Sequence, residues 1–216
     1  MLLKEFDLRI SDYDDEEKAY DFSLETRCIC AFYERLFNKF HTKSVWKLLV
    51  EGANEITENR ILTMGGVAEV QVLFDIDKYF TGTTEQKKVM ILETLQEGIL
   101  KIAKEENWNE DMFKYPYEQI IECEYQNNYI FGKPKVSPCK KYTAEIYCEH
   151  KLKSFDIFIV VRLQNGIQVK SQLVKSELPD EFFFKKHLGK IKWIGNNKIE
   201  MLNKRETKKW IIDINK

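Results

Sequence analysis

Gly65-Gly66 is followed, after eight residues, by Asp75-Ile76-Asp77. Carboxylates two apart on a strand point to one face and can hold Mg²⁺, a hard cation that takes oxygen ligands. That arrangement suits phosphoryl transfer, so Asp75 and Asp77 are the candidate metal ligands of this reading. Cys148-x-His150 lies in an alternating stretch and would also share a face, with Cys139 nearby. A zinc site needs four ligands, usually in paired short spacings, and these spacings match none. Cys28-x-Cys30 falls in a helical pattern, where positions i and i+2 do not face each other, so packed thiols are expected. His41, His150 and His187 are scattered, with no Gly-x-Ser-x-Gly, His-Glu-x-x-His or phosphate loop. Exposed or hydrogen-bonded histidines are therefore expected, and no cofactor is called for.

The remaining chemistry is electrostatic. Residues 1–130 hold 15 Lys+Arg against 26 Asp+Glu, a net of −11, whereas residues 131–216 hold 19 against 9, a net of +10. Such a split marks either two functional surfaces or two halves that neutralise each other, within one chain or across a homodimer. Asp12, Asp14, Asp15, Glu16, Glu17 and Asp21 cluster before the first long helix, with Glu105, Glu106, Glu110 and Asp111 further on. An acidic surface steers a basic protein onto itself.

In the basic half, lysines mix with aromatics in Phe182-Phe-Phe-Lys-Lys-His187, Lys190-Ile-Lys-Trp193 and Lys208-Lys-Trp210. Lysines on phosphates and aromatics on bases is how single strands are bound. Strand phase, however, puts Ile191 and Trp193 opposite Lys190 and Lys192, and Trp210, Ile212 and Ile214 opposite Lys209. The tryptophans then belong to a core, and Lys190, Lys192, Lys208 and Lys209 remain as a basic face for nucleic acid.

The Gly-Gly turn and the Asp-x-Asp pair resemble the nucleotidyltransferase motif, in which a Gly-Gly or Gly-Ser turn precedes an Asp-hydrophobic-Asp strand. The resemblance covers about a dozen residues and implies a divergent metal-dependent transferase. Here Val67–Phe74 alternates as a strand itself, so the carboxylates close it instead of opening it. The acidic surface, size and lack of catalytic motifs resemble the broad class of bacterial immunity proteins that neutralise basic toxins.

Elements must position these groups. Leu3–Ile10 alternates as a strand, and the acidic run before Glu17 suits a first helical turn. Ile29, Tyr33, Leu36, Phe37 and Phe40 then predict a helix over about 24–40. Trp46–Val50 and Ala68–Ile76 alternate as strands around a polar turn at Glu55–Asn59. Thr83-x-x-Gln86 is a capping box before the helical series Val89, Leu92, Leu95, Ile99 and Ile102. Pro116 fits the first turn of a short helix. Phe131–Lys140, with Gly132, Pro134 and Pro138, reads as a connection. Beyond it, Tyr142–Leu152, Phe155–Leu163, Lys190–Ile194, Lys198–Leu202 and Lys208–Ile214 predict strands, with Asn165-Gly166 as a hairpin turn.

The expected fold is α+β: an N-terminal mixed α/β region with antiparallel strands and two or three helices, then an antiparallel β-rich meander. The expected divisions are 1–131, a connection at 132–141, and 142–216, cues that one continuous domain with a long loop would also satisfy. Hydrophobic residues at 44% support a core. No apolar run approaches the ~20 residues that span a bilayer, and no signal peptide opens the chain. Five cysteines without Cys-x-x-Cys read as reduced thiols. A cytoplasmic protein without a membrane partner is expected, and its Lys-, Asn- and Ile-rich usage fits AT-rich bacterial coding. The leading expectation is a non-enzymatic, immunity-like protein-binding protein using its acidic surface; nucleic-acid binding and nucleotidyl transfer are the alternatives.

Overall fold

The structure is a computed structural model and describes residues 1–10 and 15–215. The chain forms two compact units, Met1–Asn127 and Asn128–Lys216. Residues 128–130 carry no charge, so the change in charge sign coincides with this division.

The strands of the first unit are β1 (Leu2–Leu3), β2 (Glu5–Ile10), β3 (Phe40–His41), β4 (Lys47–Ala53), β5 (Leu62–Met64) and β6 (Val67–Leu73). Its helices are α1 (Glu16–Leu36), α2 (Ile76–Thr81), α3 (Thr84–Glu105) and α4 (Lys114–Glu122). The main sheet has the order β2-β4-β6-β5. β2, β4 and β6 run parallel, with Phe6 opposite Leu48 and Leu48 opposite Ala68. Among the described residues of this unit, antiparallel pairing is confined to β5 with β6 and to β1 with β3. α1 is the crossover that returns the chain so that β4 runs parallel to β2, and β5 returns it so that β6 runs parallel to β4. Gly65 and Gly66, at φ +60° and +84°, turn β5 into β6; two consecutive positive φ values are what a tight hairpin demands.

Phe6, Leu8, Leu48, Val50, Ala68, Val70 and Val72 are buried against the helices. The Thr83–Gln86 capping box forms as the spacing predicts. A Cβ on Gly98 would lie 2.4 Å from Val50 Cγ2, so the glycine that weakens α3 locally is what lets it approach the sheet. Inside this layer Glu25 is buried, accepting from Tyr79 Oη at 2.7 Å and from Lys87 Nζ at 2.8 Å.

α1 also closes the open edge of β2. Glu34 Oε1 accepts from Phe6 N at 3.1 Å, Arg27 Nη1 donates to Phe6 O at 3.2 Å, and Thr26 Oγ1 donates to Leu8 O at 3.3 Å. The helix starts at Glu16 and stops at Leu36, short of the expected Phe40. The apolar spacing outruns the helix because Phe37 and Phe40 still join one aromatic cluster, with Phe113 at 5.4 Å and 6.2 Å from their rings.

In the second unit, β7 (Asn127–Val136), β8 (Tyr142–His150), β9 (Phe155–Leu163) and β10 (Gln168–Glu177) form a sheet of order β10-β9-β8-β7. β11 (Lys190–Ile194), β12 (Lys198–Leu202) and β13 (Lys209–Asp213) form an antiparallel meander. The inner faces of both sheets share one core, including Ile146, Phe155, Ile159, Ile191, Met201 and Ile212. Trp193 and Trp210 pack against it, as strand phase predicts. Residues 131–136, expected as connection, are instead the end of β7. Pro134 is tolerated because β7 is an edge strand, where a missing N–H costs no ladder bond. Together the units make an α+β protein. Among the described residues no helix is long and apolar enough to cross a membrane.

Candidate functional site

Two short segments of the second unit build the most distinctive surface. The first begins at Asp180, whose Oδ1 accepts from Phe182 N at 2.8 Å and starts α5 (Glu181–Phe184). Phe184 turns inward and stacks on Phe155, with ring centroids 3.6 Å apart. That anchor leaves Phe182 pointing out, 83% exposed. A 3-10 turn, Lys185–His187, follows. Lys185 and Lys186 are exposed, whereas His187 is buried.

The second segment is the turn from Asn203 to Lys208, between β12 and β13. Asn203 clasps it: Asn203 Oδ1 accepts from Lys208 N at 2.9 Å and its Nδ2 donates to Thr207 Oγ1 at 3.1 Å. Lys204 N donates to Lys186 O at 3.2 Å, tying the two segments together. Gly189 permits this approach, since a Cβ there would lie 2.1 Å from Leu202 O.

Between the segments runs a groove of about 780 Å³, lined by Lys185, Lys186, Lys204, Arg205 and Lys208 with Phe182, His187, Asn203 and Thr207. The lining contains no carboxylate. None of the five cations forms an ion pair among the described residues, although the nearby Lys190 and Lys192 are paired with Glu206 and Glu200.

His187 closes the inner side. Its Nε2 lies 2.8 Å from Glu177 Oε1, while its Nδ1 is buried with no hydrogen-bond partner among the described residues. The expectation of exposed or satisfied histidines therefore fails at His187. Burial lowers its pKa from the usual 6.5; Glu177 opposes the shift, and Lys186 and Lys175 add to it. Burial raises the Glu177 carboxyl, but hydrogen bonds from Lys175 and His187 outweigh it and hold Glu177 below its usual range.

The residues singled out from the sequence fall in separate places. Lys208 lines the groove. Lys190, Lys192 and Lys209 lie on the outer face of the meander, in register with Leu202 and Glu200. Asp75 and Asp77 do not share a strand face, which corrects the metal-ligand reading. β6 ends at Leu73, and Asp75 caps α2 by accepting from Lys78 N at 2.9 Å, with Asp77 in the first turn. Among the described residues no three His, Cys, Asp or Glu side chains are grouped to hold a metal ion. Cys28, Cys30 and Cys148 are buried free thiols, and His150 is buried, hydrogen-bonded through Nε2 to Pro179 O at 2.6 Å.

Of the acidic cluster, Asp12 and Asp14 lie outside the described residues. Asp15, Glu16, Glu17 and Asp21 are exposed on the first turns of α1, where Asp15 caps the helix by accepting from Lys18 N at 3.1 Å. Phe182, Lys185, Lys186, Lys204 and Arg205 were not expected at one site. The lysine-aromatic run at 182–187 was visible, but nothing in the spacing shows that a turn about twenty residues later meets it. Comparison with family models, curated proteins and solved structures finds no match for this chain.

Proposed function

We propose that the second unit binds single-stranded nucleic acid in the groove between α5 and the Asn203–Lys208 turn. The observation that carries this is the convergence on one groove of five cations that form no ion pair among the described residues, in a lining that holds no carboxylate. Phosphodiester oxygens supply the missing negative charge, and their counterions are released on binding. Phe182, exposed on the lining, offers a face on which an unpaired base can stack. Duplex bases keep their faces stacked on each other, so a single strand fits better. This site is the nucleic-acid reading of the basic half, moved from the outer face of the meander to its turn.

The test is fluorescence anisotropy with a labelled oligothymidylate lacking terminal phosphate. Three to five phosphate contacts give a slope of log affinity on log salt between about −2 and −3.5. Lys204→Glu with Arg205→Glu and Lys208→Glu should abolish binding, and Phe182→Ala should weaken it by the ~1–3 kcal/mol of one stacked base. No binding at low salt would overturn the proposal.

The exposed carboxylates at the start of α1 support a second reading, recognition of a basic, toxin-like protein. If such a partner is captured from the native host, reversing Asp15, Glu16 and Glu17 should slow its association and flatten the salt dependence.

A further inference from the structure

We infer that His187 is the point at which the groove grips a phosphoryl group, and that gripping it takes up one proton. The inference rests on the groove being a nucleic-acid site. Glu177 is ionised and can only accept, so the 2.8 Å contact assigns a proton to His187 Nε2. In the neutral ring Nδ1 then carries a lone pair, and it is this atom that is buried without a partner in a residue lining the groove. A phosphoryl oxygen is also only an acceptor. The two can meet only when Nδ1 gains a proton and the ring becomes imidazolium. The orphaned nitrogen of the free protein becomes a charge-assisted donor in the complex.

The surroundings set this switch. From β10, Glu177 faces Nε2 and favours the cation, while Lys175, paired with Glu177 at 3.0 Å, disfavours it. From the 3-10 turn, Lys186 disfavours it. From β13, the uncharged Trp210 ring stands 6.3 Å away. Lys185, Lys204, Arg205 and Lys208 share the groove. Burial and the neighbouring Lys186 and Lys175 thus weigh against the imidazolium until an anion offsets them. The bound phosphate supplies that offset, so ligand and proton bind together and each strengthens the other.

Phosphodiesters do not titrate between pH 5 and 8, so a proton taken up there comes to the protein. The experiment is the same labelled oligothymidylate titrated at fixed salt from pH 8 to pH 5.5. Affinity should rise as pH falls, by up to about tenfold per pH unit where one proton is linked. His187→Gln keeps a side-chain amide but cannot titrate, and should flatten the profile. Glu177→Gln removes the group that favours the cation, and should move the rise to lower pH. In the unaltered chain, nuclear magnetic resonance of the imidazole nitrogens should show the His187 pKa rising when the oligonucleotide is added; this readout needs no variant to fold. Binding whose pH dependence survives His187→Gln, or a His187 pKa unmoved by the ligand, overturns this inference and leaves the groove standing. No binding at any pH at low salt overturns the groove as well.

Discussion

His187 makes a stability argument as well as a binding one. Its pKa is lowered in the folded protein, so between 6.5 and the folded value the unfolded chain binds more protons. Without ligand, stability is fully present above about pH 6.5 and falls as pH drops through that window. Glu177 adds a second loss only at lower pH, because its pKa is depressed from the carboxylate range. Urea denaturation at pH 7.5 and 5.5 should show the first loss, and His187→Gln should remove it; equal midpoints for the unaltered protein would contradict this assignment. Saturating oligonucleotide should reverse the trend, since the complex holds the proton. At this scale the sequence was informative where chemistry is local. Strand phase sent Trp193 and Trp210 to the core because phase depends only on neighbours along the chain. Asp75 was misread because a carboxylate pair looks the same on a strand as at a helix start, and the backbone amide of Lys78 decides between them.

Helix α1 acts as both a layer and an edge cover. Glu34 accepts from Phe6 N, while Arg27 donates to Phe6 O and lies 3.3 Å from Glu34. Removing the carboxylate therefore strands one backbone donor and loosens the guanidinium that satisfies the neighbouring carbonyl. Glu34→Ala should cost ~1–3 kcal/mol in denaturant unfolding and should speed aggregation, because a bare strand edge recruits other chains. A variant as stable and as soluble as the parent would show that the cover is dispensable. Elements were legible where one cap or turn motif decides them: the Thr83 capping box and the Asn165-Gly166 hairpin stand where expected. They were not legible where tertiary contacts override composition. Gly132 and Pro134 look like a linker, yet an edge strand accommodates both. Phe40 looks helical because its ring serves the same cluster as Phe37.

Across the whole chain, a net charge of −1 conceals one unit at −11 and another at +10. Opposite units on separate copies attract, and little net charge opposes them near the pI of about 6.4. Light scattering at pH 6.4 should show association at low ionic strength that clears as NaCl approaches ~0.15 M, where the Debye length is ~8 Å. Scattering independent of salt would mean that the charge separation does not act between molecules. The division of charge was legible in full from the sequence, because charge is additive. The groove was not, because it depends on the single backbone approach that Gly189 allows. The placement of α1 against β2 has a consequence for how the chain is made. The strand that needs cover ends at Ile10 and its cover ends at Leu36, whereas its sheet partner β4 is complete only at Ala53. On the ribosome, at ~5–20 residues per second, the guard is finished within seconds of the strand and before the partner. The newborn chain carries its own chaperone for β2, encoded in the next segment to emerge.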